Sequence, residues 1–490
     1  MRLRPTSNSG SILIWTIIVI TVLSLVAAEL LEVISSKYFN AMHTATWQEA
    51  LLGAESGVDL AIIELRKSLY PNNQAWQDWN AAPANGVASY GITTIPNAGL
   101  SSTDLTVEVK VDAPAQLKNP TNGWQYYRVR AIGTLPITGP ARAESSKQDT
   151  HLRKISLQTD RFNADTDKRW VLAPHQLTGS EKPRVSRRIE AIVRPVSAFD
   201  QAIMSIGQLD LTDQDIIIDS YDSRDSAKST NGMYDVAKRQ ENGNIATDGQ
   251  IINAGNAHVY GDVATNAGTV SGIANVTGVE RDDFYQEPIP VTTPTWYGTS
   301  SINSSVTTVS GTTNIAASTD GSTASHYVLS TVTMSGNQVL TLTGNADGSP
   351  SYVEVYITGD VNVTGNAQVV LGAGVKAKIY FSGNFNVAGN GVVNTNNQPG
   401  DLLFYGVNPT DPTTPRTFAL GGNSLLSAAV YAPAYDVQIN NGGTRGSVYG
   451  SFVGKTVKMN GVTDLHYDEA LGTGGTINNY KIVSWFEDTR

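Results

Sequence analysis

The chain has 490 residues, no cysteine, 16% charged residues and a formal net charge of −10. That length supplies two or three domains with cores of their own, and the missing cysteine excludes disulfide staples and thiolate metal sites. The negative charge is spread without long like-charge blocks, which argues against a nucleic-acid partner.

Residues 1–10 are short and polar, carry Arg2 and Arg4, and end in a glycine; residues 12–28 then run without a charge. A cationic head before an uninterrupted apolar run leaves the basic end in the cytoplasm. The run is slightly short of the about 20 helical residues that cross a bilayer core. Leu30, Leu31, Val33 and Ile34 extend it if Glu29 and Glu32 sit at the interface. No small-x-small cleavage site follows it, because Ala27 and Ala28 lead straight into Glu29, Leu30 and Leu31. No proline occurs from Glu29 to Leu69, and Pro71 closes the segment where a helix should stop. Ala50, Leu51, Ala54, Val58, Ala61, Ile62 and Leu65 recur at three- and four-residue spacing, an apolar stripe for packing on a folded head. Helical throughout, residues 11–69 reach about 90 Å.

A glycine in front of the apolar run resembles the leader of type IV pilins and type II secretion pseudopilins, cut by prepilin peptidase on the cytoplasmic face. The resemblance implies a cut between Gly10 and Ser11, with Ser11 carrying a new, often methylated, amine; an uncleaved single-span anchor is the alternative. Residues 50–58, Ala-Leu-Leu-Gly-Ala-Glu-Ser-Gly-Val, resemble the small-residue signature behind the membrane segment of PilX-type pilus-assembly proteins. Gly53, Ala54 and Gly57 there have the spacing that lets helices approach closely. Major pilins carry a glutamate at the fifth mature position, thought to pair with the terminal amine of a neighbour. Here that position is Trp15, which points to a minor, priming or tip subunit.

Beyond Pro71, residues 72–98 read as loop and linker. Residues 105–111 alternate as a half-buried strand does, 124–132 repeat the theme, 141–166 are a polar excursion, and 185–193 form the returning strand, closed by Pro195. A small antiparallel sheet on the amphipathic half of the helix is the expected head. From about residue 198, Gly-Asn and Gly-Asp turns punctuate short runs of Val, Ile, Thr and Tyr. The eleven residues from Ile357 match the eleven from Phe381 at an offset of 24. Strand-and-turn repeats of that length predict a stacked β-solenoid, with Val363 over Val387 and Asn366 over Asn390; a β-sandwich with Gly-Asn hairpins is the alternative. With residues 219–225, 244–249, 260–265 and 465–471, this portion also resembles an uncharacterised β-rich domain often found behind PilX-type amino termini.

Asp210, Asp213, Asp215, Asp219, Asp222 and Asp225 cluster in sequence, and oxygens of Asp219, Asp222 and Asp225 are the one conceivable Ca²⁺ set. The stretch lacks the glycine and terminal glutamate of an EF-hand loop, and the six histidines form no catalytic motif. His466, beside Asp468 and Glu469, reads as a capping group at the solenoid end. The expected fold is α+β: a leader (1–10), a long pilin-like transmembrane or filament helix (11–70), a small antiparallel head (71–197), a parallel β-helix-like solenoid (198–471) and a C-terminal tail (472–490). The expected function is that of a minor pilin-like subunit of a type IV pilus or pseudopilus, not an enzyme and without a cofactor. It primes or caps the filament and displays the solenoid for adhesion. Its expected partners are other pilin or pseudopilin subunits, prepilin peptidase, the inner membrane and a surface ligand or polysaccharide. The expected location is a single-pass inner-membrane protein with its C-terminal region extracytoplasmic, and then the pilus or cell surface. The rival is a membrane-anchored β-helix protein that binds or cleaves polysaccharide outside any filament.

Overall fold

The computed structural model describes residues 9–488 apart from 72–73, 85–86, 99–102, 121, 137–183, 212–215, 250, 273–274, 300–301, 304, 321–322, 389–390, 422–425, 441–445 and 462. The leader before residue 9 and the excursion expected at 141–166 lie outside the described residues, as does Asn390.

One helix, α1 (Ser9–Lys67), runs unbroken for 59 residues and closes on Arg66 and Lys67, cations suited to the carbonyl end of a helix. Its second half packs on an antiparallel sheet of β1 (Ser89–Ala98), β2 (Thr103–Asp112), β3 (Tyr127–Pro136), β4 (Arg184–Ser197) and the C-terminal strand Ile477–Asp488, in that order. Leu105, Val107, Val109 and Val111 of β2 alternate toward the helix and are buried against Ala54, Val58, Ala61 and Leu65. Two expectations are corrected here. Part of the loop expected at 72–98 is the edge strand β1, where Pro96 is tolerated because an edge needs fewer ladder bonds. The tail expected at 472–490 supplies the fifth strand of the head, so the head closes only after the whole β-rich region has been made.

That region is mostly β, with parallel sheets. One column of strands runs from Ile302–Asn303 through Ser325–Leu329, Ser351–Ile357, Val375–Phe381, Leu402–Gly406, Leu426–Asn440 and Gly446–Asn460. It continues through Ile203–Ser205, Ile245–Thr247, Val263–Ala264 and Glu280–Arg281. Its inward residues meet in register: Tyr327, Val355, Ile379, Phe404, Val430, Phe452, Ile203, Ile245 and Val263, all buried in one core. A second column stacks Val332–Met334, Val361–Val363, Phe385–Val387 and Thr417–Gly421 in parallel. Val363 pairs with Val387, and Asn386 Nδ2 donates to Asn362 Oδ1 across the same 24-residue offset at 3.2 Å. Asn366 Nδ2 donates to Asn337 Oδ1 at 3.3 Å.

The order of this stack is not the order of the sequence. The chain joins it in the middle at Ile203–Ser205, works outward to Glu280–Arg281, crosses to the far end at Ile302–Asn303, and works back to Thr463–Asp468 beside Ile217–Tyr221. Ten strand-to-strand steps separate the two ends, which is about 50 Å at about 4.8 Å each. The strap between them carries Pro288, Pro290 and Pro294, and proline keeps a chain extended over such a span. It is fastened by Val291 N donating to Asn408 Oδ1 (3.1 Å), Asn408 N to Val291 O (2.8 Å) and Trp296 Nε1 to Glu354 Oε2 (2.6 Å). Trp296 also lies flat on His326, with ring centres 4.5 Å apart.

Val387 is wholly buried between Val363 and Leu420. Val387→Asp should therefore lower stability by several kcal/mol in thermal unfolding of the full chain, because the new carboxylate has no partner. Thr333→Asp, on an exposed position of the same column, should stay within about 0.5 kcal/mol.

Candidate functional site

Two places carry the residues singled out in the sequence. The first is α1. Its span of 59 residues corresponds to about 90 Å, and Leu13–Lys67 is a candidate membrane span whose most apolar window has mean hydropathy 2.5 and no buried residue. Large apolar side chains from Leu13 to Ile34 are exposed all round, Trp15 at 65%. Such a surface is stable only in lipid or against other apolar helices. Gly10 and Ser11 fall in the first turn of α1, and their side-chain surroundings lie outside the described residues.

Gly53, Ala54 and Gly57 face this chain's own sheet. A methyl group on Gly53 would meet Leu105 at 2.8 Å, and one on Gly57 would meet Ala131, Val107 and Val109 at 2.9 Å. Gly133 of β3 completes the contact, since a Cβ there would run into the Ala50 carbonyl and the Ala54 amide. The small residues thus bring helix and sheet backbone together within the chain, and that face is occupied.

The second place is the seam where the two halves of the stack meet. Ile217–Tyr221 and Thr463–Asp468 pair in parallel, which sets Asp219 opposite His466. Both are buried, at 0% and 5% exposure. His466 Nδ1 lies 2.6 Å from Asp219 Oδ1, and the Tyr234 hydroxyl donates to Asp219 Oδ2 at 2.7 Å. The Tyr234 ring stacks on the imidazole at 3.6 Å, with Tyr449 and Tyr221 around it. Burial, reinforced by the hydrogen bond to Asp219, holds the Tyr234 hydroxyl above its ordinary pKa and keeps it a donor. Tyr234 arrives on the loop between Tyr221 and Ile245, which is tied across the seam to Glu469. Lys228 Nζ donates to Glu469 Oε2 (3.0 Å), while Ser220 Oγ and Asn242 Nδ2 donate to Glu469 Oε1 (2.9 and 2.8 Å).

The geometry corrects two expectations. Asp219, Asp222 and Asp225 do not converge as a Ca²⁺ set. Asp219 is spent on His466 and Tyr234, Asp222 Oδ1 accepts from Arg224 N at 3.0 Å, and Asp225 Oδ1 accepts from Ala227 N at 2.9 Å. Among the described residues no group of three or more His, Cys, Asp or Glu could hold a metal ion. Asp213 and Asp215 lie outside the described residues. His466, for its part, is no end cap; it sits at the middle of the stack, and Asp468 is the capping residue, accepting from Ala470 N at 3.1 Å. An imidazole oriented by a carboxylate has the geometry of a general base. With Tyr234 flat on the ring and both partners buried, it serves here as a polar clasp between strands. The partners stand 247 residues apart, so no local spacing announces them.

Residues 296–473 match a family model described as Domain of unknown function (DUF7305). The match takes in the strands from Ile302–Asn303 to Thr463–Asp468, the second half of the stack, and leaves out α1, β1 to β4 and the first half. No curated protein matches the chain, and no solved structure does.

Removing the imidazole by His466→Ala leaves the Asp219 carboxylate buried with one partner fewer and should cost about 3 kcal/mol, read by chemical unfolding at neutral pH. Asp468 is almost fully buried, and burial chiefly raises its pKa above the usual carboxylate value despite the amide donors of Ser223 and Ala470. A carboxyl raised on folding adds most stability at low pH and loses it as pH rises from the ordinary value through the raised one. Asp468→Asn should therefore flatten the fall in melting temperature as pH rises above about 4; an unchanged slope would mean that Asp468 ionises freely in the fold.

Proposed function

We propose that the chain is a pilin-like structural subunit of the minor-pilin or pseudopilin kind, with a PilX-type amino-terminal segment. In this reading α1 anchors the subunit in the inner membrane and then joins a type IV pilus or type II-type pseudopilus. The stack is a β-solenoid carried outside the cytoplasm as an adhesive or ligand-presenting surface. The observation that carries the reading is α1 itself: one unbroken helix, bare and apolar for its first half and clamped to an antiparallel head by Gly53, Gly57 and Gly133 for its second. A membrane anchor alone needs only about 20 residues; the rigid extension into the head suits a helix that transfers from lipid into a bundle of like helices.

Register supports the solenoid part, because inward residues of successive parallel strands line one continuous core while outward Asn362 and Asn386 bond to each other. Trp15 supports a priming or tip position, since a subunit without the usual glutamate offers no carboxylate to a neighbour's terminal amine. The work of such a protein is structural rather than catalytic, and its partners are the other subunits, prepilin peptidase and the membrane.

Processing tests the reading. Peptide mass mapping of protein recovered from cells with an active prepilin peptidase should find Ser11 at the amino terminus, and Gly10→Val should abolish the cut. Epitope-labelled protein should sit at filament ends. An intact Met1 terminus, or uniform labelling along the shaft, would sink the proposal.

A further inference from the structure

Lys376 and Asp401 stand side by side on successive coils of the stack, just ahead of the paired residues Ala377 and Leu402. Lys376 Nζ lies 3.5 Å from Asp401 Oδ1. The other oxygen, Oδ2, accepts from Asn396 Nδ2 at 3.1 Å. One carboxylate thus bridges the amine of a lysine and the amide of an asparagine. Asn396 is not free to turn. Its Oδ1 accepts from Gly374 N and its Nδ2 also donates to Val375 O, both at 2.9 Å. The turn that carries it is pinned by Asn394, whose Oδ1 accepts from Asn396 N (3.0 Å) and whose Nδ2 donates to Ser427 O (2.9 Å). An ordinary surface ion pair needs none of this support.

These are the parts of an amide exchange. The lysine amine is the nucleophile, the Asn396 carbonyl carbon the electrophile and Asn396 Nδ2 the leaving group. Gly374 N–H is already bonded to the oxygen on which negative charge develops. Asp401 touches both the nitrogen that must lose protons and the nitrogen that must gain them, which is the position of a general acid–base. Its side chain is 18% exposed. Burial raises its carboxyl above the ordinary carboxylate value, although Lys376 and Asn396 pull it down. A raised carboxyl takes the lysine proton more readily than a fully solvated one. Groups fixed in one fold react at effective concentrations of about 10⁵ M or more, which suits a step that each molecule makes once.

Two other lysines share a carboxylate with an asparagine: Lys228 with Asn242 on Glu469, and Lys458 with Asn253 on Asp210. Both lack the donor at the carbonyl. Among the described residues no backbone amide donates to the side-chain oxygen of Asn242 or Asn253, and Asn253 Oδ1 accepts from the Ser271 hydroxyl at 2.8 Å. Lys228 is also held protonated, its pKa raised chiefly by the hydrogen bond to Glu469.

We propose that Lys376 and Asn396 join in an intramolecular isopeptide bond, with Asp401 moving the protons. Lys376 Nζ gives a proton to Asp401 Oδ1 and attacks Asn396 Cγ, and Gly374 N–H holds the oxygen of the tetrahedral adduct. Asp401 passes its proton to Nδ2 and takes the second from Nζ. The Cγ–Nδ2 bond then breaks. One C–N bond forms and one breaks; an ammonium side chain and a primary amide become a secondary amide and an ammonium ion, with no oxidant or cofactor. The bond closes residues 376–396 into a ring that takes in Val375–Phe381 from Lys376 onward, Phe385–Val387 and Gly391–Asn394, one strand from each of three parallel sheet columns. A ring of that kind keeps a coil from being drawn out when the stack is pulled, and it does so whether or not the chain enters a filament.

Peptide mass mapping of the purified, folded full chain tests this. Lys376 and Asn396 should appear in one branched species, lighter than the two separate peptides by one ammonia, about 17 Da. Lys376→Arg keeps the charge and should return both peptides unlinked. Asp401→Asn should also leave them unlinked, with an unchanged circular dichroism spectrum. Lys228 with Asn242 and Lys458 with Asn253 should be found separate in every case. Separate Lys376 and Asn396 peptides from the unaltered chain, ammonia lost elsewhere but not at this pair, or a link that survives Asp401→Asn would overturn the proposal.

Discussion

The rest of the structure depends on parallel pairing at the middle of the stack. Ile203–Ser205 lies on Gly446–Asn460, and Ile217–Tyr221 lies on Thr463–Asp468, so strands from the beginning and the end of the β-rich region become neighbours. Each half alone would end in an open row of backbone donors and acceptors and an uncovered apolar layer. Joined, Phe452 rests on Ile203 and the core passes through without a break. The family match stops at this seam, which gives the first half a physical role: it covers the end that the matched half would leave open.

Bringing both connections to the middle also fixes how the stack is tied to the head. Ser197 Oγ donates to Leu471 O at 2.7 Å, bonding the incoming chain to the outgoing one. Asn478 Oδ1 accepts from Ile289 N on the strap, with the Tyr431 hydroxyl 2.9 Å from the same atom. Head, strap and stack therefore meet at one buried amide, at the start of the C-terminal strand of the head sheet. A strand that completes the head only after some 280 intervening residues makes the head's last pairing the most non-local strand pairing among the described residues.

Polarity at the seam follows from the same arrangement. Burying Asp219 is tolerable because His466 and Tyr234 occupy both carboxylate oxygens. Hydrogen bonds of this kind are directional where aliphatic contacts are not, so they discriminate between strand registers that the apolar ladder alone would accept. Tyr234, Tyr221 and Tyr449 enclose the pair and keep water away.

The sequence by itself determined what local periodicity encodes. The charge-free run and the three- and four-residue stripe gave α1, the alternation of Leu105, Val107, Val109 and Val111 gave β2, and the 24-residue echo placed Val363 beside Val387 on parallel strands. β1 escaped because it follows a stretch whose Pro83, Asn85 and Gly86 look like loop, and the C-terminal strand escaped because its partner lies in β4. The acid cluster was legible as a cluster but not as a site, since the oxygens of Asp219 are taken by residues 15 and 247 positions away. Small residues at 53, 54 and 57 announced close approach, but only the tertiary structure decided that the approaching body is this chain's own sheet. The physical reason is the same throughout: periodicity reports which face of an element is apolar, while the identity of what covers that face is set by non-local pairing, which leaves no local pattern in the chain.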